Sequence, residues 1–248
     1  MISIFKQYVK NIFLKKQFII GDLNLNTRKG ALHKSWGHVF SNHLNGDYVE
    51  FGVYKGESFI DSIKTFLEFK TWLKKEIKSN ENWRAKVSSQ SKLHNKIYFH
   101  ALDTFEGMPK NNEDNFIFGE GNFKASEKIL KDKINQIKNS EYEAFIYKGN
   151  FEHTALDLKK KLENRVISIV NFDCDLKEST SVALNTIKDK IQIGSILLFD
   201  DYNGFNANQE LGQRKSFKDF KDETDFKFEK FFSYHYSGQS FLCIGKGN

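Results

Sequence analysis

The stretch Tyr48-Val49-Glu50-Phe51-Gly52-Val53-Tyr54-Lys55-Gly56-Glu57-Ser58 decides the fold of this chain. It begins as an apolar run typical of a buried strand, passes through two glycines and opens a helical pattern. Glycines at such a junction let the backbone turn sharply and approach a ligand, whose polar groups meet the free N–H groups of the helix start. The glycine spacing differs from the G-x-G-x-x-G of dinucleotide-binding enzymes, and Glu50 suits an amine-bearing ligand better than a pyrophosphate.

Strand-like and helical patterns alternate along the rest of the chain. They predict strands over residues 48–52, 97–103, 144–148, 166–173 and 193–200, and helices over residues 57–69, 125–137, 153–162 and 179–190. This alternation predicts a doubly wound, mostly parallel α/β sheet with helices on both faces. Two final runs, residues 226–234 and 240–244, are joined by Ser237-Gly238-Gln239 and predict an antiparallel hairpin, which gives seven strands in all.

Charge and length indicate one domain with a basic arm. The 248 residues predict a single domain over residues 41–248, with residues 70–96 as a mobile polar excursion. Residues 1–40 form a basic, amphipathic arm that carries the whole net charge of +6. The balanced remainder argues against a nucleic-acid-binding surface over the domain. We expect the arm to pack as a helix on the domain or on a second subunit, which predicts a homodimer. An acidic substrate, the surface of a membrane or a solvated basic helix face are the other possibilities.

Apolar runs and cysteines indicate the compartment. No run approaches the roughly 20 apolar residues that a transmembrane helix requires, and the N-terminus lacks the pattern of a cleaved signal peptide. Cys174 and Cys243 both lie in apolar runs without the spacing of metal ligands, as buried thiols in a reducing compartment do. We therefore expect a cytoplasmic protein.

Carboxylates follow several of the predicted strands. Asp200 and Asp201 end the fifth strand, and Asp173 ends the fourth, so adjacent strands bring the three acids together. Like charges at the tip of a buried strand repel one another, and a hard divalent cation such as Mg²⁺ relieves that repulsion through oxygen ligands. Asp103 ends the second strand, where an acid can accept both hydroxyls of a ribose.

Together these segments resemble the class I S-adenosylmethionine-dependent methyltransferases, and among them the macrocin (TylF-like) sugar O-methyltransferases. The resemblance spans about residues 45–245 and rests on the quoted stretch, on residues 101–109, 147–154 and 173–180, on Leu198-Phe199-Asp200-Asp201-Tyr202 and on Gly212-Gln213-Arg214-Lys215. It implies a Rossmann-like methyltransferase fold. The chain departs from the family pattern at Lys177, at Gly194-Ser195 and in the longer excursion, which concerns the acceptor pocket more than the cofactor site.

The resemblance also implies the site residues. The cofactor, S-adenosylmethionine, is expected on Glu50, Phe51, Gly52, Val53, Gly56, Ser58, Asp103, Thr104, Gly149, Asn150, Phe151 and Asp173. Mg²⁺ is expected on Asp173, Asp200 and Asp201, and the separation of 27 residues between Asp173 and Asp200 disfavours Asp175.

The predicted activity is O-methylation of a sugar hydroxyl, with Asp173 as the catalytic residue that takes the proton. The expected acceptor is a glycan, a nucleotide-sugar, a glycosylated metabolite or another small-molecule or lipid-linked sugar. Two other interpretations remain open from the sequence. One is a metal-dependent phosphate or nucleotide-sugar hydrolase, and the other is a non-catalytic homologue in a glycan-modifying complex.

Overall fold

The computed structural model describes residues 26–78, 80–113 and 116–247 of the chain. The helices are α1 (Arg28–Ser41), α2 (Glu57–Glu76), α3 (Asn82–Ser89), α4 (Glu127–Gln136), α5 (Phe151–Lys161), α6 (Lys177–Ile187) and α7 (Gly212–Glu223). The strands are β1 (Asp47–Phe51), β2 (Ile97–Asp103), β3 (Tyr142–Lys148), β4 (Ile167–Phe172), β5 (Ile191–Phe199), β6 (Phe226–Tyr234) and β7 (Gly238–Lys246). Single 3₁₀ turns cover Lys92–His94, Phe116–Phe118, Lys188–Lys190 and Phe205–Ala207.

The strands form one seven-stranded sheet in the order β3-β2-β1-β4-β5-β7-β6. Strands β1 to β5 pair in parallel, whereas β7 runs antiparallel between β5 and β6. The predicted fold class, including the C-terminal hairpin, is therefore confirmed. Because the chain order reverses between β1 and β4, a crevice opens at the carboxyl ends of these strands.

Successive side chains along the strands point to opposite faces of the sheet and pack into two separate apolar cores. On one face Tyr48 and Phe99 pack with Trp36 of α1 and Phe66 of α2. On the other face the side chains of β4 and β5 pack against α5, α6 and α7. Burial on both faces requires apolar residues at nearly every strand position, which explains why the strand patterns in the sequence are continuous apolar runs.

Helix α1 belongs to the domain core. Its residues Ala31, Leu32, Trp36, Val39 and Phe40 are buried. Residues 28–40 of the predicted arm are thus packed onto the sheet, because their apolar face covers β1 and α2. The amphipathic pattern predicted for residues 1–25 lies outside the described part of the chain.

The excursion predicted over residues 70–96 contains regular structure. Helix α2 continues to Glu76, and α3 follows before β2 begins. Lys70 is buried, and its Nζ donates to the Leu93 carbonyl at 2.6 Å and pairs with Glu141 at 2.8 Å. A buried, paired ammonium ties this segment to the domain. The apolar residues Trp72, Leu73 and Ile77 favour an extension of the helix, and α2 does continue to Glu76. The mobility of the rest of the excursion stays a prediction.

Two further expectations concern the compartment. Within the described residues, no helix has both the length and the apolar character needed to cross a membrane. Cys174 and Cys243 are free and buried, as expected.

Candidate active site

A cavity of about 1240 Å³ lies at the carboxyl ends of the parallel strands. Its walls come from the loops that follow β1, β2, β3, β4 and β5, together with Arg28 at the start of α1. The cavity exceeds the roughly 300–1000 Å³ of a pocket for one drug-sized ligand. It is therefore large enough to hold a cofactor and a second substrate side by side.

The β1–α2 loop needs its two glycines. Gly52 and Gly56 have φ angles of +83° and +82°, which L residues rarely adopt. A Cβ on Gly52 would lie 1.9 Å from the carbonyl oxygen of Asp173, and one on Gly56 would lie 2.5 Å from Leu130 Cδ1. Glycine at both places lets the loop pass directly beneath the cavity and beside Asp173.

Glu50 lies in β1, behind this loop. Its carboxylate is fully buried and accepts hydrogen bonds from Ser58 Oγ at 2.6 Å and from the Tyr48 hydroxyl. Burial raises the pKa of Glu50 to about 7, although Ser58, Tyr48 and the nearby charge of Arg28 favour its ionised form. Glu50 is therefore a buried carboxyl group with a pKa of about 7, in contact with Ser58, which lines the cavity.

Asp103 holds the β1–α2 loop in place. Its Oδ2 accepts the backbone N–H groups of Val53 and Tyr54, both at 2.7 Å, and its Oδ1 accepts that of Phe105 at 2.6 Å. The residue also lines the cavity beside Thr104. A carboxylate has about four acceptor positions, so Asp103 can order the loop and still accept a ligand hydroxyl.

The predicted cofactor residues divide into two groups. The cavity is lined by Gly52, Val53, Ser58, Asp103, Thr104, Asn150, Phe151 and Asp173. The other four, Glu50, Phe51, Gly56 and Gly149, are not among the residues that line it. Phe51 is fully buried and packs on Phe172 at 5.7 Å between ring centroids, so its side chain serves the core.

Three carboxylates converge on the other side of the cavity. One oxygen from each of Asp173, Asp175 and Asp201 lies within 4.8 Å of the others. Burial and the neighbouring Asp200 raise the pKa of Asp173 well above its usual range, and burial and Asp201 do the same for the pKa of Asp175. The carboxylates repel one another when they are ionised, and a hard divalent cation such as Mg²⁺, which prefers oxygen ligands, would offset that repulsion.

Asp200 lies beside this group but has other partners. Arg28 Nε donates to its Oδ1 at 2.9 Å, Arg28 Nη2 pairs with its Oδ2, and His235 Nε2 lies 3.0 Å from Oδ1. Although burial opposes the change, the hydrogen bonds from His235 and Arg28 lower the pKa of Asp200. Arg28 Nη1 also reaches Asp173 Oδ2 at 3.1 Å.

The geometric group thus differs from the sequence-based ligand set. The spacing of the acids disfavoured Asp175, but the structure brings Asp175 to Asp173 and Asp201 because its backbone is left-handed, with φ 56°. The feature of the sequence that could have indicated Asp175 as a member of the group is its spacing of two residues from Asp173, with Cys174 between them. The role of each acid as a ligand stays a prediction.

Glu113 has a role that no sequence pattern indicated. Its Oε2 accepts the Gly212 N–H at 2.9 Å, and its Oε1 accepts the Lys177 N–H. One carboxylate therefore binds the first residues of both α6 and α7, where negative charge is favourable. Burial raises the pKa of Glu113. Glu113, in the loop that follows β2, thus contacts the starts of two helices.

The sheet order, the glycine loop after β1 and the acid that ends β2 define a class I S-adenosylmethionine-dependent methyltransferase. The family model for macrocin O-methyltransferase (TylF) matches residues 83–229, which is more than half of the chain. The chain therefore belongs to the TylF family, and it is an S-adenosylmethionine-dependent O-methyltransferase. The hydrolase and the non-catalytic homologue are accordingly not retained.

Solved structures share the fold at low sequence identity. The O-methyltransferase NovP aligns with a TM-score of 0.63 and 17% identity, over 88% of this chain and 80% of its own. The calicheamicin methyltransferase CalS11 aligns with a TM-score of 0.60 and 19% identity, over 88% and 79%. The apo form of CalS11, a TDP-rhamnose 3′-O-methyltransferase, aligns with a TM-score of 0.54 and 17% identity over the same shares. No curated protein sequence matches the chain significantly.

Proposed function

We propose that this enzyme transfers the methyl group of S-adenosylmethionine to a hydroxyl of a sugar, with a divalent cation bound to its acidic group. The observation that carries the proposal is that one cavity contains both the residues predicted to bind the cofactor and a group of three carboxylates. The glycine loop and Asp103 lie on one side, the group of three carboxylates lies on the other, and Asp173 belongs to both.

The residues of the cofactor side would bind and orient the methyl donor. Gly52 and Gly56 allow the tight course of the loop that would hold the methionine part, and Asp103 would accept the ribose hydroxyls while it fixes the loop. Glu50, which is buried under the loop, attracts the ammonium group through its charge. Asn150 and Phe151, at the start of α5, border the adenine.

The carboxylates of the acidic side would hold Mg²⁺. Asp173 and Asp201 are common to the sequence-based set and the geometric group, and Asp175 completes the latter. When bound, Mg²⁺ lowers the pKa of a hydroxyl that it contacts. Asp173 lies between the glycine loop and the acids, so its carboxylate is placed to accept the proton of the acceptor hydroxyl.

The acceptor would be a sugar of a small molecule, a nucleotide-linked sugar or a lipid-linked sugar. Family membership supports a sugar acceptor, and CalS11, which shares the fold, is described as a methyltransferase of TDP-rhamnose. A cytoplasmic location and a homodimer complete the proposal.

Calorimetry with S-adenosylhomocysteine tests the cofactor side. We expect the native protein to bind it and Asp103→Asn to bind more weakly, by about tenfold or more, because the ribose loses an ionised acceptor and the loop loses its anchor. Asp132→Asn, an exposed change on α4, is the matched control and should bind like the native protein. Equal binding by Asp103→Asn would remove Asp103 from the site.

Chelation tests the acidic side. Methyl transfer to a panel of sugars should disappear in EDTA and return with added Mg²⁺. Full activity after chelation would remove the cation from the proposal while leaving the methyltransferase itself intact.

A further inference from the structure

A turn of unusual backbone follows the acids of β5. Phe205, Asn206 and Ala207 have φ angles of 53°, 56° and 57°, so three consecutive residues other than glycine are left-handed. The Ala207 N–H donates to the Gly204 carbonyl at 3.0 Å and to the Asn203 carbonyl at 3.2 Å, which closes the turn. Such a backbone persists only where the surrounding structure specifies it, and it is found preferentially at functional sites.

The neighbouring residues hold the ring of Phe205 in one place. Its centroid lies 5.2 Å from that of Phe118, with 39° between the ring planes. On another side is Gly212, where a Cβ would come within 2.6 Å of Phe205 Cδ2. Gly212 therefore makes room for the ring, and Phe118 contacts it from the 3₁₀ turn Phe116–Phe118.

This ring and its neighbours line the same cavity as the glycine loop and the acids. Phe118 and Phe205 contribute aromatic surface, and Asn203, Asn206 and Asn208 contribute amide groups. The Asn203 amide oxygen accepts a hydrogen bond from Arg214, whose guanidinium lies 4.5 Å from the ring centroid of Tyr202. The wall thus combines an aromatic face with polar groups that both donate and accept hydrogen bonds.

We propose that the left-handed turn Phe205–Ala207 is the binding platform for the acceptor sugar, with the C–H face of the pyranose ring on Phe205 and its hydroxyls on Asn206 and the neighbouring amides. A sugar presents both kinds of surface, because axial and equatorial substituents leave one face of the ring largely apolar. The position of the turn, four residues after Asp201, brings such a ring next to the carboxylates. The inference rests on the proposed function and adds the residues that select the acceptor.

Saturation-transfer difference NMR with four methyl glycosides, those of rhamnose, mannose, glucose and galactose, tests the platform in the presence of S-adenosylhomocysteine and Mg²⁺. At least one glycoside should bind the native protein, and Phe205→Ala should weaken that binding by about fivefold or more, because the stacking surface is lost. Phe205→Tyr should retain it. Phe231→Ala, a half-exposed aromatic of β6 outside the cavity, is the matched control.

A second variant distinguishes the contribution of the Asn206 side chain from that of the backbone conformation of the turn. Asn206→Gly keeps the left-handed backbone and removes only the amide, and it should also weaken glycoside binding. Calorimetry on each variant should give an affinity for S-adenosylhomocysteine within about twofold of the native value.

Two results would overturn the inference. One is equal glycoside binding by the native protein, Phe205→Ala and Asn206→Gly. The other is binding of catechol but of none of the glycosides. If the native protein does not bind S-adenosylhomocysteine at all, the proposed function itself is contradicted. The failure of the platform and the failure of the proposed function are therefore distinguishable.

Discussion

Arg28, the first residue of α1, forms a salt bridge with Asp200, the residue directly after β5. The two are 172 positions apart in the chain, and Arg28 also reaches Asp173 at 3.1 Å. Helix α1 thus supplies a positive charge to a nearly buried group of acids. This pairing offsets repulsion that would otherwise oppose folding in the absence of a cation.

Replacing Arg28 should therefore destabilise the protein. We expect Arg28→Gln to lower the free energy of unfolding by about 2 kcal/mol, less than a fully buried pair would lose, because the Arg28 side chain is 42% exposed. Urea denaturation measures the loss, and Mg²⁺ should restore more stability in the variant than in the native protein. Lys29→Gln, the exposed neighbour, is the control. Equal unfolding midpoints for Arg28→Gln and the native protein would contradict this role.

The close approach of Gly52 to Asp173 predicts a second outcome. Gly52→Ala should lower the free energy of unfolding by about 3 kcal/mol and abolish S-adenosylhomocysteine binding, because its Cβ would overlap the Asp173 carbonyl. Gly121→Ala is a matched control, since Gly121 has a similar φ of +80° but no atom within 4 Å of the place where a Cβ would lie. It should lose only about 1 kcal/mol and bind the ligand normally. Normal binding by Gly52→Ala would contradict the assigned position of the cofactor.

Glu50 predicts a dependence of stability on pH. Its pKa is about 7 in the folded protein against an ordinary value of 4.5, so between these values the folded state binds more protons than the unfolded state. The free energy of unfolding therefore falls as pH rises from 4.5 to 7, by roughly 3 kcal/mol from this group. The groups that face it are Tyr48, Ser58, Asn171 and the charged side chains of Arg28 and Asp173.

Glu50→Gln should remove that part of the dependence. The difference in unfolding free energy between the variant and the native protein should change by up to about 3 kcal/mol between about pH 5 and pH 7.5. Urea denaturation at both values measures it, and Glu106→Gln, whose side chain is 73% exposed, should show no such change. Parallel pH profiles of Glu50→Gln and the native protein would show that Glu50 is not a perturbed acid.

Binding of Mn²⁺, followed by electron paramagnetic resonance, distinguishes the two sets of acids. Asp201→Asn and Asp175→Asn should each weaken binding by more than about tenfold. Asp200→Asn should weaken it less, because Arg28 and His235 already occupy the oxygens of Asp200. Asp189→Asn, an exposed acid just after α6, is the control. A larger loss from Asp200→Asn than from Asp175→Asn would favour the sequence-based set.

Much of the fold follows from local patterns in the sequence. The parallel strands are continuous apolar runs bounded by acids and glycines, and β1, β2, β4 and β5 lie within about two residues of their predicted positions. The acids Asp103, Asp173 and Asp200, which line the cavity, were predictable for the same reason, since each lies at the end of a strand.

Contacts between distant segments were not predictable in this way. The pairing of Arg28 with Asp200, the bonds of Glu113 to two helices and the burial of Lys70 all depend on residues that only the tertiary structure brings together. The place of Asp175 depends on one left-handed residue, which the spacing of the acids cannot reveal. The turn Phe205–Ala207 likewise has no glycine within it to indicate its conformation.

The most direct test of the central claim is mass spectrometry of sugar acceptors incubated with the native enzyme, S-adenosylmethionine and Mg²⁺. Methyl glycosides and nucleotide-linked sugars serve as acceptors. We predict that a sugar gains one methyl group on oxygen while S-adenosylhomocysteine accumulates in equal amount, and that Asp173→Asn abolishes both. Methylation of catechol but of no sugar, or undiminished transfer by Asp173→Asn, would contradict it.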